Sequence, residues 1–561
     1  QFIDTFGTKS VAREAADPSL VLFKGTYYLF PSMSGGFWYS DDLYDWKYKR
    51  CDELPVHDYA PDVKQIGEYL YFCASANLKS CSFYRTKDPL NEKFEEVEGS
   101  FPFWDPDMFQ DDDGRVYHFW GSSNSKPLYG VELNPVDMKP IGDPVELLAA
   151  DKSHGFERKG EDHTFANVTS ELELKMLEIL GKDPYIEGVW MTKHNGRYYL
   201  QYAAPGAQYN VYADGVYVSD KPLGPYTYAE NNPFSYKPGG FIPGAGHGST
   251  MQDKIGNWWH VSTMRISLSH RFERRIGLFP TGFDKDGEMF CNQRYADWVL
   301  PMPESADYDI WKDPEWYLLS YKKTVKASSY ADNLPAENAV DENVRTWWKA
   351  KTNKSGEWLE VDLGKACTVN AVQINFADDY LKVEFPDVEL KGDEYMKRYI
   401  EQRPLKTRWL AEYSEDGKTY KTLCDKRKAE TDLPHDLIVN ENGIKARFIR
   451  FTFTEIPYNQ PATVCGLRVF GTADGKAPAA TEITDFKFDS DVDLNLKWKD
   501  TGAVGYNILW GHAEDKLYHS YMVFGKCEQY IGGINAGQDI YVRIDTFNES
   551  GITHGKTIKI R

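Results

Sequence analysis

Four residues whose types suit acid–base work, Asp17, Asp105, Glu187 and His247, each open a short stretch that passes through a turn glycine into alternating aromatics. The stretches read DPSLVLFKGTYYLF, DPDMFQDDDGRVYHFWG, EGVWMTKHNGRYYLQY and HGSTMQDKIGNWWHV. A fifth, APDVKQIGEYLYF from Ala60, follows the same outline irregularly. From Asp105, Glu187 and His247 to Gly114, Gly196 and Gly256 the step is nine residues, and from Asp17 to Gly25 it is eight. Three acids around one solvent-filled pocket repel each other, so one retains a proton that its neighbours lose. A proton-bearing acid opposite an ionised one is the pair that cleaves a glycosidic bond. The first protonates the leaving oxygen, and the second attacks the sugar or activates water according to their separation.

The elements that must position these residues are hairpins. Each glycine lies between two apolar or alternating runs, as in a β-hairpin whose turn needs positive φ. Five such units of ~40 to 50 residues arranged radially make a β-propeller with its innermost strands around a central channel. Residues in one phase of a radial repeat project to one height about the axis, so Asp17, Asp105, Glu187 and His247 are expected to converge. Between the third and fourth units, SELELKMLEILG from Ser170 to Gly181 begins with a capping box and ends on glycine, which predicts one inserted helix.

The bulk numbers bound the rest. A chain of 561 residues exceeds one core and predicts two to four domains. With 65 Lys and Arg against 85 Asp and Glu, the net charge of -20 repels phosphate backbones, so nucleic acid is excluded as a partner. Aromatics make up 15 % of the chain, and such rings suit sugar-binding faces or simply strands. Eight cysteines without a C-x-x-C pair argue against a zinc site or a disulfide scaffold, although Cys73 and Cys81 could face each other across a hairpin. No apolar run reaches the ~20 residues of a membrane span and no cationic leader is seen. The start at Gln1 reads as a processed or engineered chain.

Over roughly residues 10 to 300 these motifs resemble glycoside hydrolase family 43, the five-bladed propeller enzymes that invert the anomeric centre. The resemblance implies Asp17 as general base, Asp105 as the residue that tunes the acid's pKa, and Glu187 as general acid. It implies His247 in the channel, contacting substrate or standing near a bound metal, and Arg274 or Arg275, in FERRIGLFPTGFDKDG, on sugar hydroxyls. Two departures, DYAPDV where Trp-Ala-Pro is more usual and Val189 in place of a frequent proline, bear on substrate preference. Asp111, Asp112 and Asp113 lack the spacing of a calcium loop and read as a solvated turn. His154 and His163 in SHGFERKGEDH fit no usual zinc spacing and read as part of a polar loop near the pocket rim.

After about residue 320 the glycine-turn repeat stops. ASSYADNLPAENAVDENVRTWWKA, GEWLEVDLGKACTVNAVQINF and later short strands read as an antiparallel sandwich. To about Gly471 it resembles a discoidin, or coagulation factor 5/8 C-terminal, domain, the fold of family 32 carbohydrate-binding modules. Asp341 and Thr346 match positions that hold a structural calcium there. An insertion from about Asp378 to Pro404 exceeds that family's usual length, and Trp347 and Trp348 read as core. The remainder, with Trp498 and Tyr541, resembles a fibronectin type III sandwich, in which such a tyrosine makes a corner hydrogen bond.

The expected architecture is thus all-β: a five-bladed propeller over 1–320, a discoidin-like sandwich over 321–473 and a fibronectin type III-like sandwich over 474–561. The expected activity is an inverting hydrolase of pentosyl or furanosyl units, α-L-arabinofuranosides or β-D-xylosides, with galactofuranosides or galactans as the alternative. A carbohydrate-binding protein without activity is the rival from another class. The partner is a carbohydrate, no cofactor is required, a structural calcium is an option that the discoidin resemblance leaves open, the chain is expected to be a monomer, and the substrate class places it secreted, periplasmic or at the cell surface.

Overall fold

The computed structural model describes all residues except 1, 6, 12, 56–58, 77–78, 167, 169–170, 266–272, 307, 382 and 393–395. Five antiparallel sheets occupy residues 19–50, 59–101, 107–148, 187–236 and 244–291, each built outward in sequence order from its first strand. Those first strands are Ser19–Phe23, Tyr59–Ile66, Asp107–Gln110, Glu187–His194 and Gly244–Gln252. Every sheet starts and ends within its own stretch of chain, so the ring must be held shut by side chains.

It is held by one repeated contact. Ser19 Oγ accepts from the Val63 amide at 2.9 Å, Asp62 from Met108 at 2.7 Å and Asp107 from Met191 at 2.8 Å. The Trp190 indole donates to the Thr250 carbonyl at 3.0 Å, and Ser249 Oγ accepts from the Leu20 amide at 3.0 Å, which returns to the first blade. Each bond satisfies a backbone or side-chain group that the propeller centre buries, where an unmade bond costs about 1–3 kcal/mol. Two positions earlier the chain takes positive φ in every blade, at Asp17, Ala60, Asp105, Gly188 and His247.

This ring corrects the expected phase of Glu187. The equivalent of Asp17, Asp105 and His247 in the fourth blade is Gly188, and Glu187 shares the place of Tyr59 and Gly246, each paired across the same irregularity in its hairpin. The nine-residue count misleads because the turns differ. Lys24–Gly25 and Asn195–Gly196 are two-residue turns of left-handed residues, whereas five residues separate Gln110 from Val116 and Gln252 from Trp258.

The inserted helix runs Glu171–Leu180 and ends at Gly181, whose amide bonds Leu177 at φ +66°. Its expected cap, Ser170, lies outside the described residues. All eight cysteines are free thiols, so Cys73 and Cys81 form no bridge.

Two further β regions follow. Strands from Tyr317–Leu318 to Thr463–Thr472 form one antiparallel system whose two long members, Glu357–Phe376 and His435–Glu455, bend around a core containing Trp348, Trp409 and Phe451. This module takes Tyr317–Leu318 from the segment assigned to the propeller. The N-terminal hairpin, Phe2–Thr5 and Thr8–Val11, pairs with Met396–Tyr399 of the 378–404 insertion. Trp347 packs at the junction with Phe241 of the propeller.

The last region places Ile483–Ser490, Asp493–Trp498 and Glu528–Ile531 in one sheet, and Gly505–Gly511, His519–Phe524, Tyr541–Asn548 and Gly551–Thr553 in another. Its core merges with that of the third and fourth blades, Leu494, Trp510 and Ile534 joining Phe156, Tyr202 and Tyr236. Arg158–Asp493 at 2.6 Å and Asn535 Nδ2 to the Asn232 carbonyl at 2.9 Å add polar links. The Tyr541 hydroxyl makes no hydrogen bond among the described residues, and its ring faces Lys559.

Candidate active site

Asp17, at the entry to the first blade, is buried. Ser32 Oγ donates to its Oδ2 at 2.7 Å, Arg274 Nη1 to its Oδ1 at 3.2 Å, and His247 Nδ1 stands 3.5 Å from Oδ1. Its own amide donates to Thr263 Oγ1 of the fifth blade at 2.8 Å, which fixes the left-handed backbone. Burial alone would raise this carboxyl, but Arg274, His247 and the Ser32 bond outweigh it and hold Asp17 below the usual range.

Asp105 and Glu187 are shifted the other way. Burial, then the charges of Glu187 and Asp17, raises Asp105 well above an ordinary carboxyl. Burial raises Glu187 too, opposed by His247 and by Tyr212, whose hydroxyl donates to Oε1 at 2.6 Å. Ser122 Oγ lies 3.3 Å from Oε2. The charge of Glu187 raises Asp105 and the charge of Asp17 raises both, so the pair holds a proton while Asp17 stays ionised.

His247 is the hub. Its amide donates to Asp214 Oδ1 at 2.7 Å, and Asp214 Oδ2 accepts from the Gly248 amide at 3.0 Å and meets His260 Nε2 at 2.9 Å. A Cβ on Gly188 would stand 2.7 Å from the His247 ring, so the glycine beside Glu187 is needed both for its φ of +61° and for that ring.

The two arginines separate by strand alternation. Arg274 turns inward, its Nε and Nη2 on Glu14 Oε1 at 2.9 and 2.5 Å. Arg275 turns the other way, onto the carbonyls of Arg13 and Arg274 and toward Asp378 of the second module. Arg275 therefore does not line the pocket. No group of three His, Cys, Asp or Glu donors surrounds His247 among the described residues; the one such group is Glu230, Glu288 and His512, at the junction with the last region. The 154–163 loop divides: His154 stacks on Tyr228 and His163 bonds Tyr236, both beside the last region, while Glu161 reaches Arg265 at 2.7 Å and also pairs with Arg345 of the second module.

Reading the sequence by motif missed Glu14, Ser32, Tyr212 and Asp214, which carry no repeat signature and act through partners more than ten residues away. Tyr59, the residue before the left-handed Ala60, faces Trp104 at 5.8 Å between ring centres. Counting phase from the left-handed position would have given it the same place in its blade as Glu187 has in the fourth.

A closed ring of five blades with a low-pKa aspartate set against a high-pKa glutamate has the apparatus of a glycoside hydrolase. Residues 10–289 match the family model of Glycosyl hydrolases family 43, and the propeller of this chain belongs to that family; residues 324–390 match the F5/8 type C domain. The chain is 26 % identical over 253 residues to a beta-xylosidase of Xylanibacter ruminicola, covering 38 % of this chain and 77 % of the relative. It is 26 % identical over 333 residues to xylosidase/arabinosidase 43A of Humicola insolens, covering 49 % and 95 %. A solved thermostable family-43 glycoside hydrolase superposes with a TM-score of 0.41 at 22 % identity, over 52 % of this chain and 96 % of its own.

Proposed function

We propose that the chain releases terminal pentosyl or furanosyl units, from β-D-xylosides and α-L-arabinofuranosides, by a single displacement that inverts the anomeric centre. The observation that carries this reading is the opposed protonation of Asp17 and Glu187 within one buried cluster. Asp17 takes a proton from water as its oxygen bonds the anomeric carbon. The glycosidic C–O bond breaks, and its oxygen takes the Glu187 proton. Tyr212 occupies Oε1, so the transferable proton rides on Oε2. The charge of Asp17 opposes ionisation of Glu187, and Asp105, raised by burial and by Glu187, shares the proton of the pair and so tunes the acid. The names of the two relatives favour this substrate class.

Incubation with aryl β-D-xyloside, α-L-arabinofuranoside and β-D-galactofuranoside tests it. Release from either of the first two, abolished in Glu187→Gln and Asp17→Asn, supports the reading, and NMR of the first-formed anomer reads the stereochemistry. Release from the galactofuranoside alone moves the substrate class, and sugar binding without release leaves a carbohydrate-binding propeller.

For the second module we propose the structural calcium at Asp341 and Thr346. Thr346 Oγ1 donates to Asp341 Oδ2 at 2.6 Å within one turn, and this oxygen-only pair suits a hard cation completed by carbonyls. Calcium is expected to raise Tm in the wild type and not in Asp341→Asn; equal shifts remove the site. The two-sheet order of the last region supports the fibronectin type III-like reading, with docking as its role.

A further inference from the structure

The 378–404 insertion of the second module does more than pair with the N-terminal hairpin. It delivers Arg398, which is 7 % exposed, to the side of the propeller that holds Asp17. Arg398 Nη1 reaches Glu14 Oε2 at 3.3 Å, and its Nη2 donates to the Tyr59 hydroxyl at 3.1 Å with the guanidinium 5.0 Å from that ring. Glu14 Oε1 is already taken by two nitrogens of Arg274, whose third nitrogen holds Asp17. The chain Arg398–Glu14–Arg274–Asp17 therefore alternates in sign. Arg398 thus adds a second guanidinium to the two buried carboxylates that Arg274 bridges.

We propose that Arg398 is a positioning residue of the propeller's active site: through Glu14 it fixes Arg274 on Asp17, and through Tyr59 it fixes the pocket wall, so the second module completes the site. The inference rests on the hydrolytic roles given to Asp17 and Glu187. A purely structural arginine would tie the insertion to the hairpin through backbone pairing alone, which Met396–Tyr399 already does. Here the buried guanidinium instead extends a charge relay to the reacting carboxylate.

The charge of Arg398 also lowers Asp17. The other groups facing Asp17 are Ser32 of its own blade, Glu14 before it, His247 and Arg274 of the fifth blade, Asp105 of the third, and Glu187 and Tyr212 of the fourth. None of these belongs to the second module, so a change made at Arg398 isolates the contribution of that module.

The test uses the full chain with Arg398→Gln and Arg398→Lys on the aryl glycoside that the wild type cleaves. Arg398→Gln is expected to lower kcat/KM about tenfold to a hundredfold, as for a small misplacement of a catalytic group. Its acid limb should move to higher pH, with KM rising through Tyr59, and Arg398→Lys should restore the limb but not KM. The double variant Glu14→Gln/Arg398→Gln removes one charge of each sign and serves where the single one does not fold; in it the acid limb stays near the wild-type position while kcat falls. The Asp17 carboxyl carbon, assigned by its loss in Asp17→Asn, should titrate higher in Arg398→Gln. That readout needs no substrate, so it judges Arg398 even where no aryl glycoside is cleaved. A folded Arg398→Gln with kcat/KM within twofold of wild type and an unmoved Asp17 titration overturns the proposal.

Discussion

The Tyr212 hydroxyl donates to Glu187 Oε1 at 2.6 Å, and this bond opposes the proton that burial keeps on the same carboxyl. A bond given to a carboxylate favours the ionised form, so Tyr212→Phe raises the Glu187 pKa further. In the proposed mechanism Glu187 must be protonated to act, so the alkaline limb of kcat/KM should move upward by about one pH unit, the worth of one charge-assisted bond. The pH–rate profile decides it: a limb that stays or moves down contradicts the assignment of that limb to Glu187.

Removing the acid itself separates its role from simple binding. Glu187→Gln is expected to lower kcat about 10²- to 10⁴-fold on poor leaving groups and to abolish the alkaline limb. Aryl glycosides with acidic phenols, which leave without a proton, should lose far less. Equal losses across a leaving-group series would show that Glu187 does not deliver a proton.

Gly188 lies between the acid and the hub histidine. At φ +61°, with the His247 ring 2.7 Å from where a Cβ would stand, Gly188→Ala must shift the ring or the strand. Such strain costs about 1–3 kcal/mol. The loss of aim on Glu187 and Asp17 should exceed what stability explains, with kcat down about a hundredfold. Activity and thermal melting measured together test this, and an alanine variant with wild-type kcat would mean that the ring carries no positional role.

The five blades were legible in the sequence because each hairpin advertises itself locally, with a turn glycine between alternating runs. The acids were legible for the same reason, since Asp17, Asp105 and Glu187 open those hairpins. What the sequence did not show follows from distance along the chain. Glu14 meets Arg274 across 260 residues and Arg398 across 384, and no local pattern marks such pairs. Glu187 was placed one position out because glycine spacing measures turn length as well as phase. Arg275 was paired with Arg274 by adjacency, whereas strand alternation sends the two to opposite faces.

Three buried histidines make stability depend on acid. His118, among Phe83, Phe101, Phe103 and Trp120, and His163, against Tyr236, are pushed down to about 3 by burial, and His519 to about 4. A histidine lowered on folding gives its full contribution above its unfolded value near 6.5, and that contribution falls as pH drops toward the folded value. At pH 5 each should cost about 2 kcal/mol relative to pH 7. Neither ring nitrogen of His118 has a hydrogen-bond partner among the described residues, so it supplies no bond that a replacement would lose. His118→Leu should therefore melt at least as high as the wild type at pH 7 and lose less on acidification to pH 5. Parallel pH dependence of the two proteins would show that His118 is already charged in the folded chain or never takes up a proton on unfolding.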